Sequence, residues 1–283
     1  MTGNEAMIPP DKRQVRFYPR LAAFFALAFA WSWTFWLLSV VVKPYSAPLA
    51  VVPGLLAGFG PGVAAIAVVG YIGGRAGLHA WLARCLQWQV GWGWMALAFL
   101  LPLATVAIAA AVHVALGGTL PPSPALGHIA KAAASFLWVL LLGGPLGEEF
   151  GWRGYALPEM TDRYGWRIAS LALGLVWAAW HLPLFFMAGT SQSQSPMRGF
   201  IMMTLAISVI FAWLFKHTRR SVVPALVLHT AINTWSFIIP VLPTDETHRP
   251  YLLAVGLMML IALALLLRPG TSASAIHVEK LSA

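Results

Sequence analysis

The sequence is poor in charged residues, above all in acidic ones, and in cysteine. Only 10% of its 283 residues are charged and 9 are acidic, whereas 59% are hydrophobic and the mean hydropathy is +0.76. Soluble globular domains contain about 25% charged residues, so the composition excludes an ordinary water-soluble fold. A single cysteine, Cys85, excludes an intrachain disulfide. These absences indicate that lipid surrounds most of the chain.

The basic residues give a net charge of +9, and they form short clusters between long apolar runs. A protein that binds nucleic acid concentrates such residues on one face, so the pattern argues against nucleic acid as a partner. Basic clusters beside apolar segments are typical of a membrane surface instead. We therefore expect membrane lipid to be the main partner.

Eight apolar windows approach the roughly 20 residues that a helix needs to cross a bilayer. They are 21–42, 49–72, 91–116, 127–147, 167–188, 199–215, 222–239 and 251–267. Pro and Gly interrupt the second window at 53–61, and Gly-Gly-Pro ends the fourth at 143–145. Neighbouring helices must satisfy the freed backbone groups, so both segments should pack inside the bundle. The sequence predicts an all-α, polytopic transmembrane helical bundle of about eight spans.

The orientation of the chain in the membrane follows from the Lys and Arg residues of its loops. An even number of spans puts both termini on the same side. Most Lys and Arg lie on that side, and the other side holds only Lys43, Lys131, Arg198 and Arg249. The positive-inside rule then predicts cytoplasmic termini. The predicted organisation is a basic cytoplasmic arm at 1–20, a bundle at 21–268 and a cytoplasmic tail at 269–283. Abundant Ala and Leu and short loops are typical of bacterial membrane proteins. We therefore expect a multi-pass protein of the cell membrane, in the bacterial inner membrane.

Two segments outside the spans could also be helical. Residues 76–88, with Trp81 and Trp88, have the pattern of an amphipathic helix in the cytoplasmic interface, although a plain connector fits equally well. Residues 152–166 could form a second such helix and so delay the start of the fifth span.

The acidic residues Glu148 and Glu149 directly follow an apolar span, in the sequence Gly-Pro-Leu-Gly-Glu-Glu-Phe-Gly-Trp-Arg-Gly. A carboxylate near hydrocarbon is suited to take a proton from water. On a continuing helix Arg153 lies one turn from Glu149 and can neutralise it, which leaves Glu148 free to act. The alternative is a solvated cluster that caps the helix.

Two of the eight histidines, His181 and His229, fall inside the fifth and seventh spans. A polar ring at membrane depth faces the bundle interior or a wet cavity, and Asn233 lies one turn from His229 on the same face. By residue count His181 and His229 lie roughly 20 Å and 10 Å from the cytoplasmic edge. They can meet Glu148 only if the Gly-Gly-Pro segment draws the acids into the bundle. Each could otherwise be a satisfied core histidine.

Three motifs in this order resemble the CPBP family, the CAAX proteases and bacteriocin-processing enzymes, also called Abi. They are Glu-Glu-x-x-Trp-Arg-Gly at 148–154, a His within the next span, and His-x-x-x-Asn at 229–233. The resemblance covers about 140–240. The family's Phe-x-x-x-His corresponds to Trp177 through His181, and we expect the change from Phe to Trp to alter packing more than chemistry.

The resemblance implies a hydrolase, an intramembrane endopeptidase that is metallo- or glutamate-dependent. It implies that Glu148 activates the attacking water together with His181, and that Glu149 and Arg153 complete the first motif. His229 and Asn233 are implied to stabilise the oxyanion or to share in metal binding. Zinc bound by Glu148, His181 and His229 would be compatible with this set, but no His-Glu-x-x-His pair occurs, so the metal stays open.

The implied substrate is a hydrophobic or lipidated peptide or protein, although a prenylated one would be unexpected in a bacterium. An alternative function is a non-catalytic family member that acts as an immunity factor or a membrane scaffold. A transporter or proton relay fits less well, because the sequence lacks the internal repeats of most secondary transporters.

Overall fold

The computed structural model describes residues 12–269, and all regular elements in this range are helical. The helices are α1 (Lys12–Val42), α2 (Ala47–Ala57), α3 (Gly60–Cys85), α4 (Trp92–Ala115), α5 (Ile129–Leu142), α6 (Pro145–Gly151), a π-helical turn (Trp152–Ala156), α7 (Leu157–Trp180), a 3-10 turn (Leu182–Phe186), α8 (Ser191–Gln194), α9 (Met197–His217), α10 (Val223–Ile238) and α11 (Arg249–Leu267). The predicted all-α polytopic bundle is confirmed.

Within residues 12–269, six helical segments are long and apolar enough to cross a membrane. They are Tyr18–Val42, Gly60–Cys85, Trp92–Ala115, Pro145–Phe186, Met197–His217 and Arg249–Leu267. The predicted second window is divided between α2 and α3. The fourth and seventh windows correspond to the shorter apolar helices α5 and α10. Gly and Pro at the predicted interruptions of the second and fourth windows end one helix and begin the next, which explains why these two windows contain no long helix.

The outer surface of the bundle is apolar. Leu37 on α1, Leu137 on α5 and Leu260 on α11 expose 61%, 58% and 66% of their surface. Soluble monomers rarely expose apolar side chains over such large contiguous areas. This surface is suited to contact lipid, as the composition predicts.

Helix α1 begins at Lys12, nine residues before the predicted first span, so part of the predicted basic arm is helical. Residues 1–11 of that arm and residues 270–283 of the predicted tail lie outside the described range. The segment 76–88 is helical as far as Cys85, after a kink at Gly74, whose φ of 56° suits glycine. Trp81 is buried rather than facing outward, and its indole donates to the Gly154 carbonyl.

Hydrogen bonds between helix ends and loops identify two ends of the bundle. At one end Arg84 donates to Gly154 O, Ser221 donates to Gln87 O and Arg167 donates to Leu266 O. At the other end Lys43 donates to Ala188 O and Arg249 donates to His113 Nδ1. We call the end that contains Arg84, Arg167 and Ser221 the basic end. We call the end that contains Lys43 and Arg249 the opposite end.

Helix α6, which carries both candidate acids, packs directly on the junction of α2 and α3. A Cβ atom on Gly147 would lie 2.4 Å from Gly58 O, and one on Gly151 would lie 2.4 Å from Pro61. Only glycine permits backbones to approach so closely. The predicted inward displacement of the acids is therefore confirmed, because this contact holds α6 inside the bundle.

Candidate active site

Glu149 is fully buried and belongs to a polar network. Its Oε1 accepts from Arg153 Nη1 at 3.0 Å and from His229 Nδ1 at 2.7 Å. The Arg153 pairing is the i,i+4 contact that the sequence predicts. With Oε1 engaged by two donors, Glu149 is suited to hold Arg153 and His229 in place.

Glu148 is held differently, although it is the adjacent residue. Its Oε2 accepts from the indole Nε1 of Trp177 at 2.6 Å, whereas Oε1 accepts from no described protein donor. A Cβ atom at Gly144 would lie 2.5 Å from Oε1, and the φ of 109° at Gly144 also requires glycine. The open approach to Oε1 therefore depends on the missing side chain at Gly144.

His181 ends α7, and its ring is oriented by its own helix. Nδ1 lies 2.8 Å from the carbonyl oxygen of Trp177, one turn earlier. A carbonyl can only accept, so Nδ1 carries the hydrogen and the neutral ring presents a lone pair at Nε2. The same argument applies to His229, whose Nδ1 faces the Glu149 carboxylate. Both rings can thus offer Nε2 to a water molecule or a substrate.

A cavity of about 420 Å³ joins these side chains. Its lining includes Glu148, Trp177, His181, His229 and Asn233. Apolar side chains from α1, α2, α4, α9 and α11 form most of the remaining wall. Asn233 is half-buried on the same face of α10 as His229, as the sequence predicts. The structure therefore brings all six predicted site residues to the floor of this cavity or directly beneath it.

Arg153 lies beneath the floor and is almost completely buried. Its guanidinium carbon lies 4.5 Å from the ring centre of Trp177 and 3.8 Å from that of Phe211. Such cation–π contacts stabilise a cation that is removed from water. The π-helical turn that begins at Trp152 contains Arg153, and such turns often occur at functional sites.

Trp177 is the residue whose role the sequence analysis did not foresee. Besides binding Glu148, its ring packs against His181 and His229, with ring centres 5.7 Å and 5.5 Å apart. The sequence analysis expected Trp at this position to affect packing more than chemistry, and the structure adds a direct hydrogen bond from its indole to Glu148. An indole differs from the phenyl ring of Phe by its N–H donor. That donor was the feature of the sequence that could have predicted a hydrogen bond to a nearby carboxylate.

The arrangement of the cavity side chains bears on whether Glu148, His181 and His229 could share a metal ion. Within residues 12–269, no three or more His, Cys, Asp or Glu side chains are grouped closely enough to hold a metal ion. Glu148, His181 and His229 line one cavity but do not form such a group. The arrangement in residues 12–269 does not fit a three-ligand metal site.

Comparison with known proteins agrees with the motifs. Residues 130–235 match the family model described as type II CAAX prenyl endopeptidase Rce1-like, and this segment contains all six site residues. The chain is also 29% identical over 177 residues to CAAX prenyl protease 2 of Methanococcus maripaludis. That match covers 60% of this chain and 63% of the relative. The resemblance predicted from the motifs is confirmed, because residues 130–235 are similar to the Rce1-like CAAX prenyl endopeptidases, which supports a CPBP-family intramembrane peptidase.

Proposed function

We propose that the protein is an intramembrane endopeptidase that hydrolyses a peptide bond with water activated by Glu148 and His181. One observation carries the proposal. At the floor of the cavity, Glu148 keeps Oε1 without a protein donor, and His181 keeps Nε2 because its Nδ1 is bound to the backbone. Two acceptors on one cavity wall are suited to orient and deprotonate a water molecule.

The first step joins the water oxygen to the carbonyl carbon of the scissile amide. Glu148 Oε1 takes one proton of the water, and His181 Nε2 accepts a hydrogen bond from the other. The carbonyl oxygen gains the negative charge. Asn233 donates its side-chain N–H to this oxygen, and His229, whose Nδ1 lies 2.7 Å from Glu149, lines the same part of the cavity and positions the oxygen beside Asn233.

The second step breaks the carbon–nitrogen bond. Glu148 returns its proton to the leaving amine, and the oxyanion collapses to a carboxylic acid. Overall, one water is consumed, and one carboxylic acid and one amine are formed. Glu149 and Arg153 do not exchange protons with the substrate in this scheme, because they lie beneath the floor and position His229 and Trp177.

The substrate that fits this cavity is a hydrophobic or lipidated peptide. Its volume of about 420 Å³ lies within the roughly 300–1,000 Å³ of ordinary ligand sites. The wall above the polar floor contains Pro102, Val106, Met203 and Ile207. This wall favours apolar side chains next to the bond that is cleaved. The name of the archaeal relative, CAAX prenyl protease 2, supports the same class.

The test compares the wild-type protein with Glu148→Gln and Glu159→Gln in detergent, using a library of hydrophobic and prenylated peptides. Gln keeps the shape of Glu but cannot take the proton, so Glu148→Gln should lower cleavage about 100-fold or more. Glu159 lies exposed outside the cavity and provides the matched control. Equal cleavage by wild type and Glu148→Gln contradicts the proposal. A wild-type protein that cleaves no peptide in the library favours the non-catalytic alternative.

A further inference from the structure

A second, smaller cavity lies between four helices near the basic end of the bundle. Its volume is about 150 Å³, and apolar side chains of α4, α9, α10 and α11 line it. They include Leu101 of α4, Ile210 of α9, Leu228 of α10 and Ile261 of α11. The exposed side chain of Leu97 also lines this cavity, so the cavity opens to the outer surface of the bundle. We call it the apolar groove.

The apolar groove is separate from the candidate active site. The same four helices contribute to both cavities, but none of the described residues lines both. On α9 the lining passes from Ile207 in the active-site cavity to Ile210 in the groove, one turn closer to the basic end. On α11 it passes in the same way from Met258 to Ile261. The groove therefore lies behind the apolar wall of the active site.

The walls of the groove suit a hydrocarbon chain rather than water. A water molecule in a protein interior needs two to four polar partners, and apolar side chains do not supply them. A cavity of this size with apolar walls holds a hydrocarbon of about six carbons. The groove therefore fits one segment of a single acyl chain.

Aromatic and basic side chains surround the groove on the side of the basic end. Trp213 lines the groove, and its ring centre lies 5.3 Å from that of Trp94 and 4.6 Å from that of His217. The guanidinium carbon of Arg268 lies 5.8 Å from the centre of the same Trp213 ring. We call these four residues the rim. Tryptophan and basic side chains concentrate where a membrane passes from hydrocarbon to headgroups, so the rim has the composition of the headgroup region.

Arg268 gives the rim a cation that an anionic headgroup can contact. Its side chain is exposed, and no Asp or Glu within residues 12–269 forms an ion pair with it. Its backbone oxygen accepts a hydrogen bond from Arg167, which brings a second guanidinium to the same place. A guanidinium binds phosphate through paired N–H donors, and basic pockets between membrane helices bind anionic lipid headgroups. The rim therefore favours a lipid with a net negative charge over a zwitterionic one.

We propose that the apolar groove and its rim bind one anionic phospholipid, with an acyl chain between α4, α9, α10 and α11 and the phosphate beside Arg268. This lipid site is independent of the proposed peptidase activity, because it shares no described lining residue with the active-site cavity. The acyl chain packs behind the wall that contains Ile207 and Met258. A ligand that binds only the folded chain stabilises it, so the lipid raises the melting temperature.

Lipid titration of the purified full-length protein in a neutral detergent tests the site. Phosphatidylglycerol and phosphatidylcholine with the same acyl chains are compared by native mass spectrometry and by thermal unfolding. One phosphatidylglycerol should bind per chain, about tenfold more tightly than phosphatidylcholine, and should raise the melting temperature more. Equal binding of the two lipids overturns the proposal. Equal stabilisation by inorganic phosphate alone also overturns it, because phosphate has no acyl chain.

Two variants separate the headgroup contact from the acyl-chain contact. Arg268→Gln should weaken phosphatidylglycerol binding about tenfold and leave phosphatidylcholine binding unchanged, whereas Arg75→Gln, at an exposed position of α3, should change neither. Ala98→Met fills the groove and should weaken binding of both lipids, whereas Ala96→Met, on the exposed side of α4, should not.

Unchanged lipid binding in Arg268→Gln or in Ala98→Met overturns the proposal. If Ala98→Met does not fold, Leu97→Asn takes its place, because this exposed position at the edge of the groove tolerates a polar side chain. A KM for peptide that rises in Ala98→Met, while lipid binding stays the same, assigns the groove to the substrate and overturns the proposal as well.

Discussion

The indole Nε1 of Trp177 donates a hydrogen bond of 2.6 Å to Oε2 of Glu148, so an aromatic residue of α7 holds the carboxylate of α6. The same residue offers its backbone carbonyl to His181 Nδ1. One side chain and its backbone thus orient both groups that we propose to activate water. Trp177 is a positioning residue, because it acts through these two groups.

Trp177→Phe removes the donor and keeps an aromatic ring. Hydrogen bonds to charged groups contribute about 1.5–3 kcal/mol, so kcat should fall about 10- to 100-fold while KM stays nearly constant. Peptide cleavage kinetics in detergent measure both constants. Trp213→Phe, the same exchange at a ring outside the cavity, should leave kcat unchanged. An equal loss in both variants would show that the effect is merely structural.

Gly144→Ala should impair catalysis more than it impairs folding. The added Cβ would lie 2.5 Å from Glu148 Oε1, and the φ of 109° is unfavourable for alanine. We expect cleavage to drop by about tenfold or more, since displacing a catalytic group by about 1 Å can cost 100-fold. Gly256→Ala, with open space at its Cβ, is the control. Full activity of Gly144→Ala would contradict the assigned geometry of Glu148.

Arg153 and Arg220 allow a buried and an exposed ion pair to be compared in one protein. Arg153 pairs with Glu149 in the interior, whereas Arg220 pairs with Asp162 where both side chains are exposed. Removing one partner of a buried pair costs about 3–5 kcal/mol. An exposed pair contributes about 1 kcal/mol or less. Arg153→Met should therefore lower thermal stability in detergent far more than Arg220→Met, and similar losses would contradict the buried network.

Treatment with a chelator should leave peptide cleavage unchanged. Glu148, His181 and His229 do not form a three-ligand group, and the proposed steps use only their acid–base chemistry. The protein is dialysed against EDTA and a zinc-selective chelator, and kcat/KM is then measured with and without added Zn²⁺. Loss of cleavage that Zn²⁺ alone restores would contradict the metal-free mechanism.

The sequence predicted the site better than it predicted the helices around it. Motif spacing and the need to hide polar groups from lipid identified Glu148, His181 and His229, which line one cavity. The pairing of Glu149 with Arg153 followed from helix periodicity alone. The placement of these side chains could be predicted because each case depends on local spacing or on the scarcity of polar groups, whereas their catalytic roles stay predictions.

The span count was less predictable. Composition cannot show that the second window is divided between α2 and α3, or that α5 and α10 are only 14 and 16 residues long. Trp81 was expected at the interface but is buried against Gly154. Such outcomes depend on which distant helices meet, and hydropathy carries no information on that.

The glycines of α6 have a wider consequence for how this site tolerates change. The position of Glu148 and Glu149 within the bundle is fixed where main chain touches main chain, at Gly147 on Gly58 and at Gly151 on Pro61. Substitutions in the cavity wall can therefore alter which peptides are accepted without moving the acids. Relatives can therefore differ in the peptides that they accept, while the position of the proposed catalytic acids stays the same.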